Sequence, residues 1–81
     1  MISASQIRAA RALLSMSQRQ LSELSGVSLP TIQRMEASKD MVRANVDTLV
    51  KVVDALEHAG TELIGNNTSS THGGRGVRLK S

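Results

Sequence analysis

Over residues 1–60, apolar positions recur at spacings of three and four, the period of a helix with one buried face. Ile7, Ala10 and Leu14 form the first such run. Ser3 precedes it, with Gln6 three residues later. At that spacing each side chain satisfies the other residue's backbone N–H. A first helix is predicted to open after Ser3 and end near Met16. Ser17 and Gln20 repeat the spacing and open a second helix, with Leu21 and Leu24 facing in. Gly26 falls just past its end, where a left-handed residue is needed. Ser28 caps a third helix over 29 to about 37, with Ile32 and Met35 inward. Pro30 sits in its first turn, where a missing N–H is harmless. After a predicted loop over 38–44, Asn45 caps a fourth helix that runs to Ala59 and stops at Gly60. Its stripe is Val46, Leu49, Val50, Val53 and Leu56. Val52, Ala55 and Ala59 widen it enough to suggest a further partner surface.

The pattern then changes. Residues 61–65 (TELIG) and 76–80 (GVRLK) each read as a short strand with partial alternation. The intervening 66–75, rich in Asn, Ser, Thr and Gly, reads as a flexible loop. The strands could pair within one chain or with those of a second copy. A lone two-stranded hairpin is marginal in water. The chain thus divides into a helical domain over 1–60 and a β-strand dimerisation tail over 61–81.

With 81 residues, the chain is one small domain with a thin core. It has no Cys and no Phe, Trp or Tyr. No disulfide or thiolate metal site staples it, so aliphatic packing or a second copy must complete the core. Net charge is +3, and its distribution says more than its size. Residues 1–43 carry a basic surplus of three, and 44–65 an acidic surplus of three. One positive region beside a negative one suits a protein that meets a polyanion on one face. There is no signal-peptide stretch, and no apolar run approaches membrane-spanning length. A cytoplasmic protein without a membrane partner is expected.

The informative segment is 17–36, SQRQLSELSGVSLPTIQRME: two short capped helices joined by a tight turn at Ser25, Gly26 and Val27. So short a turn makes the helices cross steeply, and the second protrudes as a helix able to enter a major groove. These residues resemble the Xre-type helix-turn-helix domains of phage repressors and Cro. The matching features are Gln6, Ile7, Arg8 and Arg11 in helix one; Ser17, Gln18 and Leu21 opening helix two; Gly26, Val27 and Ser28 at the turn; and Thr31, Ile32, Met35 and Glu36 in helix three. The resemblance covers about residues 5–59. It implies a mainly α fold, a four-helix lambda-repressor-like domain here followed by a short C-terminal β element, since similar small proteins often end in a segment like Gly-Val-Arg-Leu.

The resemblance also implies roles. Gln18 would anchor a phosphate. Ser28, Leu29, Pro30, Thr31, Gln33 and Arg34 would face base edges, and Lys39 and Arg43, in the following loop, the sugar-phosphate backbone. Chemistry is consistent with this. With Ile32 and Met35 inward, Leu29, Pro30, Gln33 and Arg34 turn outward. Arg34 suits guanine O6 and N7, and Gln33 suits adenine or a phosphate. Leu29 and Pro30 offer no side-chain hydrogen bond and suit thymine methyls, so specificity should lean on Arg34 and on DNA shape. Helix N-termini at Gln18 and Leu29 add N–H groups for phosphates. Arg11 and Glu36 are implied to form a partly buried ion pair between helices one and three.

Other features read as structural. Met16, Met35 and Met41 are core fillers. Arg8, Arg19 and Lys51 read as solvated surface. His58 and His72 lack metal-ligand spacing, and Gly73, Gly74, Arg75 and Gly76 lack the Lys-Ser/Thr ending of a phosphate loop. No nucleophile motif is present, so no enzyme, cofactor or metal is expected. The expected function is a transcriptional regulator, a repressor or autoregulator that binds double-stranded DNA as a homodimer on an inverted-repeat operator. The alternative is an antitoxin-like or adaptor protein whose main partner is a regulatory protein.

Overall fold

A computed structural model describes residues 2–39, 41–64 and 76–80. Four helices come first: α1 (Ala4–Leu14), α2 (Gln18–Ser25), α3 (Leu29–Glu36) and α4 (Val46–His58). Two strands follow, β1 (Thr61–Ile64) and β2 (Gly76–Leu79). The mainly α architecture with a C-terminal β element is the one expected, and each boundary has a local cause. Ser3 Oγ accepts from the Gln6 N–H at 3.1 Å, and Gln6 Oε1 accepts from the Ser3 N–H at 2.9 Å. Ser17 and Gln20 repeat the exchange at 3.0 and 2.8 Å. Ser28 and Asn45 cap α3 and α4. α1 stops short of Met16 because Ser15 turns left-handed, with φ +52°. Gly26, at φ +74°, ends α2. An added Cβ there would meet nothing within 4 Å, so the need for Gly is one of backbone conformation alone.

The core gathers Ile7, Ala10, Leu21, Ile32, Met35, Leu49, Val52 and Leu56, with Ile2 and Val42 at one end. Met16 packs against it and Met41 is half-buried. Two expectations about α2 and α4 need correction. Leu24 does not face in: it is 61% exposed. Leu21 takes the buried position of this eight-residue helix, and Leu24 sits on the rim of a cleft with Lys51, Ala55 and His58 of α4. On α4, Leu49, Val52 and Leu56 are buried, whereas Val46 is 68% and Val50 41% exposed. Both sets keep helical spacing. Packing on α2 and β1 selects the one centred on Val52, and Val46, Val50 and the half-buried Val53 lie around the helix from it.

Of the two strand pairings left open by the sequence, the structure shows the one within the chain. β1 and β2 are antiparallel, with Thr61 opposite Leu79 and Leu63 opposite Val77. Gly65, expected in the first strand, and the expected loop over 66–75 lie outside the described residues, as do His72 and Gly73 to Arg75. The hairpin packs on α1 and α4. Leu63 and Val77 rest on the core, and the buried Thr61 donates its hydroxyl to Leu56 O at 2.8 Å. Gln6 fastens the far end. Its buried side-chain amide donates to Ile64 O at 2.9 Å and to Gly76 O at 3.1 Å, while its oxygen serves the cap of α1. Replacing Gln6 with Met keeps much of the volume, removes both donors from the strand-end carbonyls and removes the acceptor of the Ser3 N–H. The carbonyls keep their ladder bonds, so each lost hydrogen bond costs about 0.5–1.5 kcal/mol. Urea unfolding of Gln6→Met should show that loss, and amide exchange of 61–64 and 76–79 should speed up. An unchanged midpoint with unchanged exchange would mean that packing alone holds the hairpin.

Candidate nucleic-acid interface

α3 buries Ile32, Met35 and Glu36 and turns the rest of its surface outward. Ser28, Pro30, Gln33 and Arg34 are exposed; Leu29 and Thr31 are half-buried. Leu29 therefore turns outward less fully than its position suggested. The first turn of α3 forms a small network. Ser28 Oγ accepts from the Thr31 N–H at 3.4 Å and donates to Thr31 Oγ1 at 2.8 Å. Arg34 Nη2 donates to the same Thr31 oxygen at 3.2 Å. The guanidinium is thus folded toward the N-terminal end of its own helix, across the outward face. The turn before α3 is tied as well: Ser22 Oγ donates to Val27 O at 2.6 Å, and Ser25 Oγ accepts from the Val27 N–H at 3.2 Å.

The loop after α3 is anchored by contacts that the sequence did not suggest. Val42 N–H donates to Ile2 O at 3.0 Å, and Ser3 bridges Met41. Ile2 and Val42 are both buried. The two β-branched residues, 40 positions apart in sequence, carry no periodic signal. They fix where the exposed Lys39 and Arg43 leave the surface. Arg34 and Arg43 line one recess with Thr31, Asn45 and Thr48, so two cations converge beside the N-terminus of α4.

Gln18 is the first residue of α2, and its side chain is held from behind. Nε2 donates to Glu36 Oε1 at 3.2 Å. The same carboxylate accepts from Arg11 Nε at 2.7 Å and Nη2 at 2.6 Å, a two-pronged pair. Arg11 also donates to Met16 O at 3.0 Å. The Arg11 and Glu36 side chains are 20% and 4% exposed, so the pair is shielded on the acidic side. Its hydrogen bonds to Glu36 raise the Arg11 pKa above its ordinary value, against the opposing effect of burial. Arg8 is exposed as expected, but its head group is engaged. It donates to Glu36 O at the end of α3 and to Ser5 Oγ at 3.2 Å. The spacing of three between Arg8 and Arg11 places both on one face of α1, the signal that could have marked Arg8. Arg8, Gln18 and Gln33 line a shared open recess.

A family model described as helix-turn-helix matches residues 7–58, well over half of the chain. The chain belongs to the Xre-type helix-turn-helix family. As a helix-turn-helix protein it is a DNA-binding transcription regulator. The match begins at Ile7 and ends at His58, so it takes in all but the first three residues of α1, runs through α4 and leaves the hairpin outside. No curated protein matches the chain. Among the described residues, no helix is long and apolar enough to cross a membrane, and no cluster of three metal-binding side chains occurs.

Within this helix-turn-helix protein, Glu36 is the residue whose loss should be felt most. Glu36→Ala strands the Arg11 guanidinium and frees the Gln18 amide. Breaking one partner of a buried pair costs about 3–5 kcal/mol, and the partial exposure of Arg11 places this one at the low end of that range. Thermal melts followed by circular dichroism should show a clear drop in midpoint for Glu36→Ala and a similar one for Arg11→Ala. A double variant should fall well short of the sum of the two drops, because the residues act as one unit. Midpoints equal to wild type would count against the pair as a structural tie.

Proposed function

We propose that the chain acts as a homodimeric repressor on an inverted-repeat operator, reading bases from the outer face of α3. The observation that carries this is the division of α3 into a buried side, Ile32, Met35 and Glu36, and an exposed side that presents Gln33 and Arg34. Arg34 reads a guanine through O6 and N7. It exchanges its 3.2 Å bond to Thr31 for the base, so the held guanidinium is already near the working face. Gln33 pairs with an adenine or a phosphate. Leu29 and Pro30 pack on thymine methyls, with Ser28 and Thr31 completing the first turn. Gln18, positioned by Glu36, anchors one phosphate, and Lys39 and Arg43 take others along the anchored loop. Two subunits place two such helices in successive major grooves about one turn apart. A protein seated there blocks polymerase, which is the basis for repression.

Selection of bound duplexes from a random pool tests this directly. The wild type should enrich an inverted repeat, and Arg34→Ala should blur one position in each half-site at a cost of roughly 1–3 kcal/mol. Lys39→Ala should weaken all sequences alike and reduce the dependence of affinity on salt by about one phosphate contact. Failure of the folded wild type to enrich any sequence would shift the function toward a protein partner.

A further inference from the structure

Among the described residues, neither strand of the hairpin pairs with a third strand. Lys80 N–H donates to Gly60 O at 2.8 Å, so residues 60 and 80 form a bonded pair. Bonded and unbonded pairs alternate along an antiparallel ladder. With the observed register, 62 pairs with 78 and 64 with 76 through bonds. The backbone groups of Val77 and Leu79 therefore point away from β1, and those of Thr61 and Leu63 away from β2. None of these four has a backbone partner outside the hairpin among the described residues.

The edges differ in their surroundings. Thr61 is fully buried and β1 lies against α4, whereas Leu79 is 53% exposed. β2 runs along α1 in the same direction. Gly76 O meets Gln6 at one end; at the other, Lys80 meets Gly60, which lies beside Leu14. Leu13, also exposed, thus stands near the end of α1 that Leu79 approaches. β2 has no Pro, no bulge and no charge turned toward the core, three of the devices that block strand addition.

We propose that the β2 edge receives β2 of a second copy of this chain, antiparallel across a two-fold axis, so that two hairpins become one four-stranded sheet. This rests on the homodimer reading above and names its contact. The strand is self-complementary. With Arg78 opposite its own copy, Val77 of each chain bonds to Leu79 of the other, and every outward backbone group of both residues gains a partner. Facing arginines repel, but each donates to its own Glu62 at 2.8 Å, so each has a carboxylate partner on the side away from the seam. Leu13 and Leu79 move toward a dry contact. β2 packs on α1 and β1, so the outward face of α3 stays open to DNA.

Leu79→Pro removes one outward N–H and leaves the bonds between β1 and β2 intact. Leu79→Lys keeps the N–H and puts a charge into the contact. Light scattering of the full chain should give the mass of two chains for the wild type and half that mass for both variants, with helix content unchanged by circular dichroism. A two-chain mass for both folded variants would overturn the edge contact while leaving the homodimer standing, with the exposed Val46 and Val50 flank as its place. A one-chain mass for the wild type, at concentrations where DNA is bound, would overturn both. Should Leu79→Pro fail to fold, Leu79→Lys and Leu13→Lys decide the question by the same masses.

Discussion

A carboxylate that is 4% exposed stands at the junction of three helices, and the geometry of the helix-turn-helix follows from how that charge is satisfied. Glu36 closes α3. Arg11 reaches it from α1 with two nitrogens, and Gln18 reaches it from α2 with one. Its backbone oxygen takes a further donor from Arg8. Lone pairs left empty here would be costly, because water cannot replace the donors. A core without aromatic side chains is thin and has few shapes that allow only one arrangement. The ion pair supplies direction as well as attachment. It fixes the end of α3 against α1 and holds the Gln18 side chain at the start of α2. Arg11 itself carries no base contact in this scheme, so loss of DNA binding in its variants reports on folding.

Local rules were legible in the sequence, and choices between faces were not. Both capping boxes, both Ser and Asn caps, Pro30 and Gly26 act within a few residues, and the structure has each where its spacing placed it. Leu24 shows the limit. It keeps helical spacing, but Leu21 alone satisfies the core, and nothing local says which leucine of a short helix will win. The same ambiguity applied to α4, where two overlapping stripes of valine and leucine are equally periodic. Which one is buried depends on α2 and β1, which are distant in sequence. Gln6 was legible as a cap residue only. Its second role, as donor to both strands of the hairpin, joins positions 58 and 70 residues apart. Among the candidate contacts, the outward set on α3 followed from periodicity, with Leu29 less exposed than that pattern implied. The position of Lys39 and Arg43 depends on Ile2 and Val42, a pair that no pattern links.

α1 connects the two ends of the molecule. Its first turn holds Gln6, which ties the hairpin; its middle holds Ile7 and Ala10 in the core; its third turn holds Arg11, which ties α3. All four lie on an 11-residue helix, capped at its start and closed by a left-handed Ser15. A helix of that length is stiff on the scale of a hydrogen bond. The β2 edge and the outer face of α3 are therefore set relative to one another by a single rigid element, with side-chain ties at both ends. The inverted repeat proposed above would require that relation to be fixed, because the spacing of half-sites is a property of the protein as much as of the DNA. If the tie at Gln6 loosened, the hairpin would retain its own ladder but lose its fixed position over α1, and two copies joined through β2 would no longer hold their reading heads at one separation. On the proposed dimer, the buried amide of Gln6 and the buried carboxylate of Glu36 serve one requirement. Each spends a polar group in a small core to secure an orientation that aliphatic packing alone would leave loose.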